Sequence, residues 1–269
     1  LRVLTLLLSA IFLTGLGLVG KGIKAQLWVN FINSCVNICD LHTNIIFCSC
    51  NINLINFLGA FMSPVLYKLI PTKDWPALMI DGILMHRIKD TSPKADAEAK
   101  IKILGINKGD VLDICTGLGY AAIVAARHAD KVVTIEKDPK VIDIAKKNPA
   151  SRELFENKKI KLIIGDACDE IKKFPNNAFD FIIHDPPRFA LAGELYSLAF
   201  YTELFRLLKT NGKMFHYIGL PGERYRNKGI RKGIIERLCK AGFEVKSCEK
   251  LQGVLCFKSK IKEFKQNAF

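Results

Sequence analysis

Downstream of residue 107, apolar runs of strand length alternate with stretches of helical period, and the alternation does not break until the last thirty or so residues. Strands are predicted at 111–114, 131–136, 160–164, 179–184 and 213–218, with helices at about 120–128, 139–147, 168–173, 194–209 and 229–241. The tail FEVKSCEKLQGVLCFK has the pattern of two antiparallel strands. Strand followed by helix, repeated, builds a mostly parallel sheet with helices on both faces and its ligands at the carboxyl ends of the strands. The expected architecture is therefore α/β, with a seven-stranded, mostly parallel sheet closed by a C-terminal antiparallel hairpin. Upstream, LIPTKDWPALMIDGILMHRIKD predicts a short β-hairpin turning at Asp81-Gly82, and Ala95–Leu104 predicts a helix leading into the sheet.

The first sixty residues follow other rules. Residues 1–61 carry only Arg2, Lys21, Lys24 and Asp40 as charges, against 62 charged residues in the remaining 208. Residues 1–20 are an apolar run with the reading of a signal peptide or membrane anchor. The first methionine is Met62, and residues 30–56 mix Asn, Ile and Cys without steady period, which favours a misplaced start over an anchor. The organisation expected is an apolar leader (1–61), a hairpin and helix (62–106) and a nucleoside-binding domain (107–269), cytoplasmic unless the leader anchors it. Cys35, Cys39, Cys48 and Cys50 have poor spacing for zinc, so no metal is expected.

VLDICTGLGYAA, Val111–Ala122, places a glycine turn between a strand and a helix, and the next strand ends in an acid, Glu136. Gly117-x-Gly119-x-x-Ala122 alone also fits a dinucleotide fingerprint. Asp113, four residues before the first glycine, suits a cationic ligand better than a diphosphate. Asp166 ends the third strand, so three carboxylates are gathered along one sheet edge. His184-Asp185-Pro186-Pro187-Arg188 ends the fourth strand, with prolines that stiffen the loop.

Asp113, the glycines, Glu136, IIGDA (Ile163–Ala167) and FDFIIHDPPRF (Phe179–Phe189) resemble, in order, the motifs of Rossmann-like class I methyltransferases that use S-adenosylmethionine. The likeness runs from about residue 75 onward. More narrowly, DWPALMIDGILMHR, CTGLGY, HDPPRF and GELYS resemble a group of predicted archaeal methyltransferases. The resemblance implies S-adenosylmethionine held by Asp113, Thr116, Gly117, Gly119, Tyr120, Glu136, Asp166 and Ala167. It implies an acceptor site at Asp185, Pro186, Pro187 and Arg188, with Asp185 binding the acceptor or taking its proton; Arg188 departs from the aromatic residue that relatives carry there.

His86 and Arg87 of the hairpin, and Glu194 and Tyr196 beyond the fourth strand, are candidates for the acceptor side. HYIGLPGERYRNKGIRKG carries Arg224, Arg226 and Arg231 interleaved with tyrosines, a pattern able to grip phosphates and stack on unpaired bases. With +12 of the net +14 lying beyond residue 61, these cations point to RNA as the acceptor and to a methyltransferase in RNA modification. The alternatives are alkyl transfer to a small molecule or polyamine, as in spermidine synthase-like relatives, and a non-catalytic nucleoside-binding or membrane-tethered module. Acids around the acceptor would favour the polyamine.

Overall fold

The computed structural model describes residues 65–219 and 226–259. The leader and residues 220–225, Arg224 among them, lie outside the described residues.

A small sheet comes first: β1 (Tyr67–Ile70), β2 (Ala77–Ile80) and β3 (Ile83–Leu84) pair antiparallel in that order. Between β2 and β3 the two turn residues, Asp81 and Gly82, both have positive φ (45° and 76°), the conformation whose twist matches a two-residue hairpin. The anticipated hairpin is thus present and extended by one strand. Helix α1 (Pro93–Leu104) starts at Ser92, whose side chain accepts from Ala95 N, with proline in its first turn, and stops at Gly105 in the left-handed region. Its buried face carries Ala97, Ile101 and Leu104, but also Asp96 and Lys100.

The main sheet alternates as predicted, with one added helix, α4: β4 (Asp110–Ile114), α2 (Tyr120–Ala126), β5 (Lys131–Glu136), α3 (Pro139–Lys146), α4 (Arg152–Glu156), β6 (Ile160–Ile164), α5 (Ala167–Glu170) and β7 (Phe179–His184). It continues with α6 (Leu198–Leu207), β8 (Leu208–Tyr217), α7 (Arg226–Lys240), β9 (Glu244–Cys248) and β10 (Gly253–Phe257). The strand order is β6-β5-β4-β7-β8-β10-β9, parallel from β6 to β8 and antiparallel for the last two. This is the expected seven-stranded sheet with its closing hairpin. The direction of winding reverses at β4 and β7, and the crevice at that switch, at the carboxyl ends, is where such sheets take ligands.

Each face has its own core. Ile101 and Leu104 of α1 pack with Ile123 of α2, Val111 and Ile183 on one side; Tyr201 and Leu204 of α6 pack with Ile234 and Leu238 of α7, Leu112 and Ile182 on the other. β4 and β7 are therefore packed on both faces, which suits their largely apolar sequences, with Asp113 and His184 buried among them. Among the described residues no helix is long and apolar enough to cross a membrane.

Candidate active site

The turn after β4 is shaped by backbone demands. Cys115, Gly117 and Gly119 all have positive φ (69°, 54° and 81°). A Cβ on Gly119 would stand 2.7 Å from Leu154 Cδ2, so that glycine is required by packing and does not line the cleft. A Cβ on Gly117 would meet nothing within 4 Å, because that residue faces open space. The space is a cavity of about 580 Å³ at the carboxyl ends of the strands. Thr116, Gly117, Tyr120, Glu136, Asp166, Ala167, Asp185, Pro186 and Pro187 all line it. A second cavity of about 280 Å³ shares the wall formed by His86, Asp96, Lys100, Asp185, Pro186 and Pro187, and adds Arg87, Arg188 and Tyr217.

Glu136 accepts from Gly117 N (2.9 Å) and Asp138 N (3.0 Å), one bond on each carboxylate oxygen, which leaves acceptor capacity on both. Burial holds its pKa above the usual carboxylate range. Asp166 caps α5 through Cys168 N (2.8 Å) and pairs with Lys137 Nζ (2.7 Å), and that lysine holds its pKa low. Asp113 behaves differently from the expectation that it contacts a ligand. It is 1% exposed and absent from the cavity lining; Thr134 donates to its Oδ2 (2.7 Å), and its Oδ1 has no partner among the described residues. Burial pushes its pKa up to about 7, offset in part by Thr134. Thr134 lies 2.6 Å from the Thr116 hydroxyl, so Asp113 secures the turn from below rather than touching what sits on it.

The acid after β7 is held by a residue that sequence reasoning passed over. Lys100 Nζ lies 2.5 Å from Asp185 Oδ2 and 2.7 Å from Asp96 Oδ2, with its side chain 6% exposed. Burial works against that ammonium, but Asp185 and Asp96 outweigh it and keep its pKa above the ordinary lysine range. Asp96 in turn receives Arg87 Nη1 at 2.5 Å, and Arg87 Nη2 donates to Lys250 O at 3.1 Å. Arg87, read as a substrate contact, is chiefly the clip that ties the small sheet to α1 and the C-terminal strands. The signal for this chain was available: Asp96 and Lys100 are spaced i, i+4 on the same helical stripe as Ala97, Ile101 and Leu104, where charge is costly unless paired.

His86 lines both cavities, with Nδ1 accepting from Leu78 N (3.1 Å) and its pKa lowered to about 4 by burial and then by Lys100, so it is neutral at pH 7. Tyr196 does not line either cavity. It is 3% exposed and donates to Pro187 O (2.8 Å), setting the proline loop from behind. Glu194 faces the larger cavity. Arg226 opens α7, while Arg231, assigned to phosphates, donates to Gly219 O (3.2 Å) and Ser247 Oγ (2.8 Å) of its own scaffold.

Comparison with known proteins decides the family. The spermine/spermidine synthase domain matches residues 85–222, just over half of the chain. The chain belongs to this family. An uncharacterized protein of Methanocaldococcus jannaschii is 51% identical over 204 residues, 75% of this chain and 70% of that one. A polyamine aminopropyltransferase of Prochlorococcus marinus is 32% identical over 144 residues, 51% of this chain and 50% of that one, so the chain spans half the length of this relative. The spermidine synthase structure from Thermotoga maritima superposes with a TM-score of 0.57 over 72% of this chain and 69% of that one, at 20% identity, a likeness of fold.

Two expectations are corrected by these findings. The Rossmann-like fold of the class I methyltransferases is present, but the matching family is that of the spermine/spermidine synthases, which overturns methyl transfer and RNA modification. The family uses decarboxylated S-adenosylmethionine as an aminopropyl donor, so the expectation of S-adenosylmethionine as a methyl donor is not supported. A small-molecule acceptor has the family's support, and RNA does not.

Proposed function

We propose that this protein transfers an aminopropyl group from decarboxylated S-adenosylmethionine to the amine of a small molecule. The observation that carries the reading is the charge inventory of the larger cavity. Its acids are Asp96, Glu136, Asp138, Asp166, Asp185 and Glu194, and its only cations among the described residues are Lys100 and Lys137. Both are engaged, Lys100 by Asp96 and Asp185 and Lys137 by Asp166. No cation is left to receive the α-carboxylate of intact S-adenosylmethionine, which would face uncompensated acids. A donor without that carboxylate brings a sulfonium and an ammonium, and both are matched by the lining.

The residues fit such a donor. Glu136 has acceptor capacity left on both oxygens for the ribose hydroxyls, Gly117 leaves room for close approach, and Asp166 with Ala167 would meet the adenine. The donor supplies a carbon activated by a positively charged sulfur that departs as a neutral thioether. The acceptor nitrogen forms the new C–N bond as the C–S bond breaks, with the electron pair going to sulfur, and it must shed a proton. Asp185 is the group suited to hold that nitrogen and take the proton. Lys100 fixes its Oδ2, and its Oδ1 has no partner among the described residues. Most of the rate gain in such a displacement comes from alignment, so a rigid Asp-Pro-Pro loop braced by Tyr196 matters as much as the carboxylate itself.

The test is to incubate the protein and a panel of amines with either donor and to measure methylthioadenosine and alkylated amine. Methylthioadenosine should be released from the decarboxylated donor only, and Asp185→Asn should lower turnover by about 100-fold or more while donor affinity holds. Methyl transfer from the intact donor, with none of the decarboxylated donor consumed, would overturn the reading.

A further inference from the structure

The two cavities that meet at Asp185 differ in sign. The larger is dominated by carboxylates, as described. The smaller contains Arg87, Lys89, Lys100 and Arg188, against only Asp96 and Asp185. Within this set Arg87 and Lys100 are spent on Asp96 and Asp185, whereas Lys89 and Arg188 form no ion pair among the described residues. Both are exposed at the rim, with Tyr217 and Gln252 lining the same wall. The two acids are compensated there: Asp96 by Arg87 and Lys100, and Asp185 by Lys100. Among the described residues no carboxylate without a charged partner lines that side of the proline loop to receive a second ammonium.

We propose that the acceptor is an amine whose far end is an anion, a carboxylate or a phosphate, held by Arg188 and Lys89 while its nitrogen lies at Asp185. This inference rests on the aminopropyl-transfer reading and deepens it by naming the acceptor class. A plain diamine would put its distal ammonium among uncompensated cations. Two cations without ion-pair partners among the described residues repel that ammonium, by an amount that water at the rim reduces but does not reverse in sign. An anionic end is attracted by the same groups, and the guanidinium of Arg188 can take a carboxylate or phosphate through two parallel bonds. The departure from the aromatic residue at position 188 then has a chemical reason: it exchanges a stacking surface for an anion receptor.

The experiment separates binding from turnover. The full-length protein, saturated with methylthioadenosine, is titrated calorimetrically with putrescine, with γ-aminobutyrate and with phosphoethanolamine; the same amines are then offered with the decarboxylated donor. At least one anionic amine should bind about 10-fold or more tighter than putrescine, and the two anionic probes distinguish carboxylate from phosphate. Arg188→Ala combined with Lys89→Ala should weaken that amine by about 10-fold or more, and weaken it more than it weakens putrescine. Preference for putrescine, no binding by either anionic amine, or indifference of the anionic amine to the double substitution would overturn the proposal. Diamines consumed in preference to anionic amines would sink this inference and leave aminopropyl transfer standing. Anionic amines that bind tightly while no amine draws methylthioadenosine from the donor would do the reverse.

Discussion

Replacing Lys100 with methionine removes the cation shared by Asp96 and Asp185 while keeping most of the side chain's length. The size of the effect follows from what each acid retains. Asp96, 6% exposed, keeps Arg87 at 2.5 Å, whereas Asp185, 31% exposed, loses the one charged partner it has among the described residues but can be hydrated from the cleft. Breaking a buried pair by deleting one member typically costs about 3–5 kcal/mol; with one acid still paired and the other partly wet, the lower end, about 3 kcal/mol, is expected. Urea unfolding followed by circular dichroism measures this, with an unchanged slope showing that the denatured state has not been altered. Asp96→Asn completes a double-mutant cycle. Because Lys100 and Asp96 touch, the double variant should be less damaged than the sum of the singles by about 1.5 kcal/mol or more. A loss under about 1 kcal/mol, with additivity within about 0.5 kcal/mol, would mean that the ammonium is effectively solvated and that Asp185 is not held by it.

Gly119→Ala should cost about 2–4 kcal/mol, combining left-handed backbone strain with a methyl placed 2.7 Å from Leu154 Cδ2. Gly117→Ala, whose methyl meets nothing, should cost about 1–2 kcal/mol but weaken the donor, and parallel melting and titration would expose any reversal. Asp113 has its folded pKa raised to about 7 from 3.8, so it binds a proton more tightly folded than unfolded, and its contribution to stability falls as pH rises from about 4 to about 7. Asp113→Asn should therefore gain on the wild type by about 4 kcal/mol between pH 4 and pH 8; a flat difference would refute the buried, unpaired state of its Oδ1. The depressed histidines His86 and His184, lowered to about 4 by burial, oppose this trend equally in both proteins and cancel in the comparison. Tyr196→Phe should lose about 1 kcal/mol and raise the acceptor's KM, since the bond to Pro187 O braces a loop shared by both cavities; an unchanged KM would reduce Tyr196 to packing.

What the chain made legible follows from which physics is local. The strands at 131–136, 160–164 and 179–184 occur where their apolar runs predict them, because each run is bounded by turn residues; the inner strand at 131–136 is buried almost throughout, whereas 160–164 lies at the sheet edge and is partly exposed. The helix expected at 194–209 is shorter, Leu198–Leu207, since Ser197 caps it through Phe200 N, and the chain passes directly into β8, which begins before Asn211-Gly212 rather than after it. Helix α4 went unforeseen; five residues give too little period to read. At the site, Thr116, Gly117, Tyr120, Glu136, Asp166, Ala167 and Asp185, named through the resemblance of the motifs, converge on one cavity. Asp113 and Tyr196 do not reach it, because order along a strand or loop fixes a position but not the direction in which a side chain is buried. Lys100 was missed for the complementary reason: an i, i+4 acid and base ordinarily mark a solvated helix face, and only the packing of α1 shows that this face is inward.

The net charge of +14 misled in an instructive way. Total charge governs encounter with large, highly charged partners, but a bound small molecule responds to groups within about one Debye length, roughly 8–10 Å at physiological salt. Inside that radius the larger cavity is acidic, and several lysines and arginines elsewhere are already committed: Lys258 donates to Phe205 O and Leu208 O, Arg206 to Ile171 O and Phe174 O, and Arg231 to Gly219 O. A side chain that caps backbone carbonyls counts fully in a sum over the sequence but is poorly placed to grip a phosphate. The sign of a site is therefore set by which charges remain unpaired at the switch point of the sheet. There, acids dominate the larger cavity and cations without ion-pair partners among the described residues line the smaller, an arrangement that the overall charge neither required nor forbade.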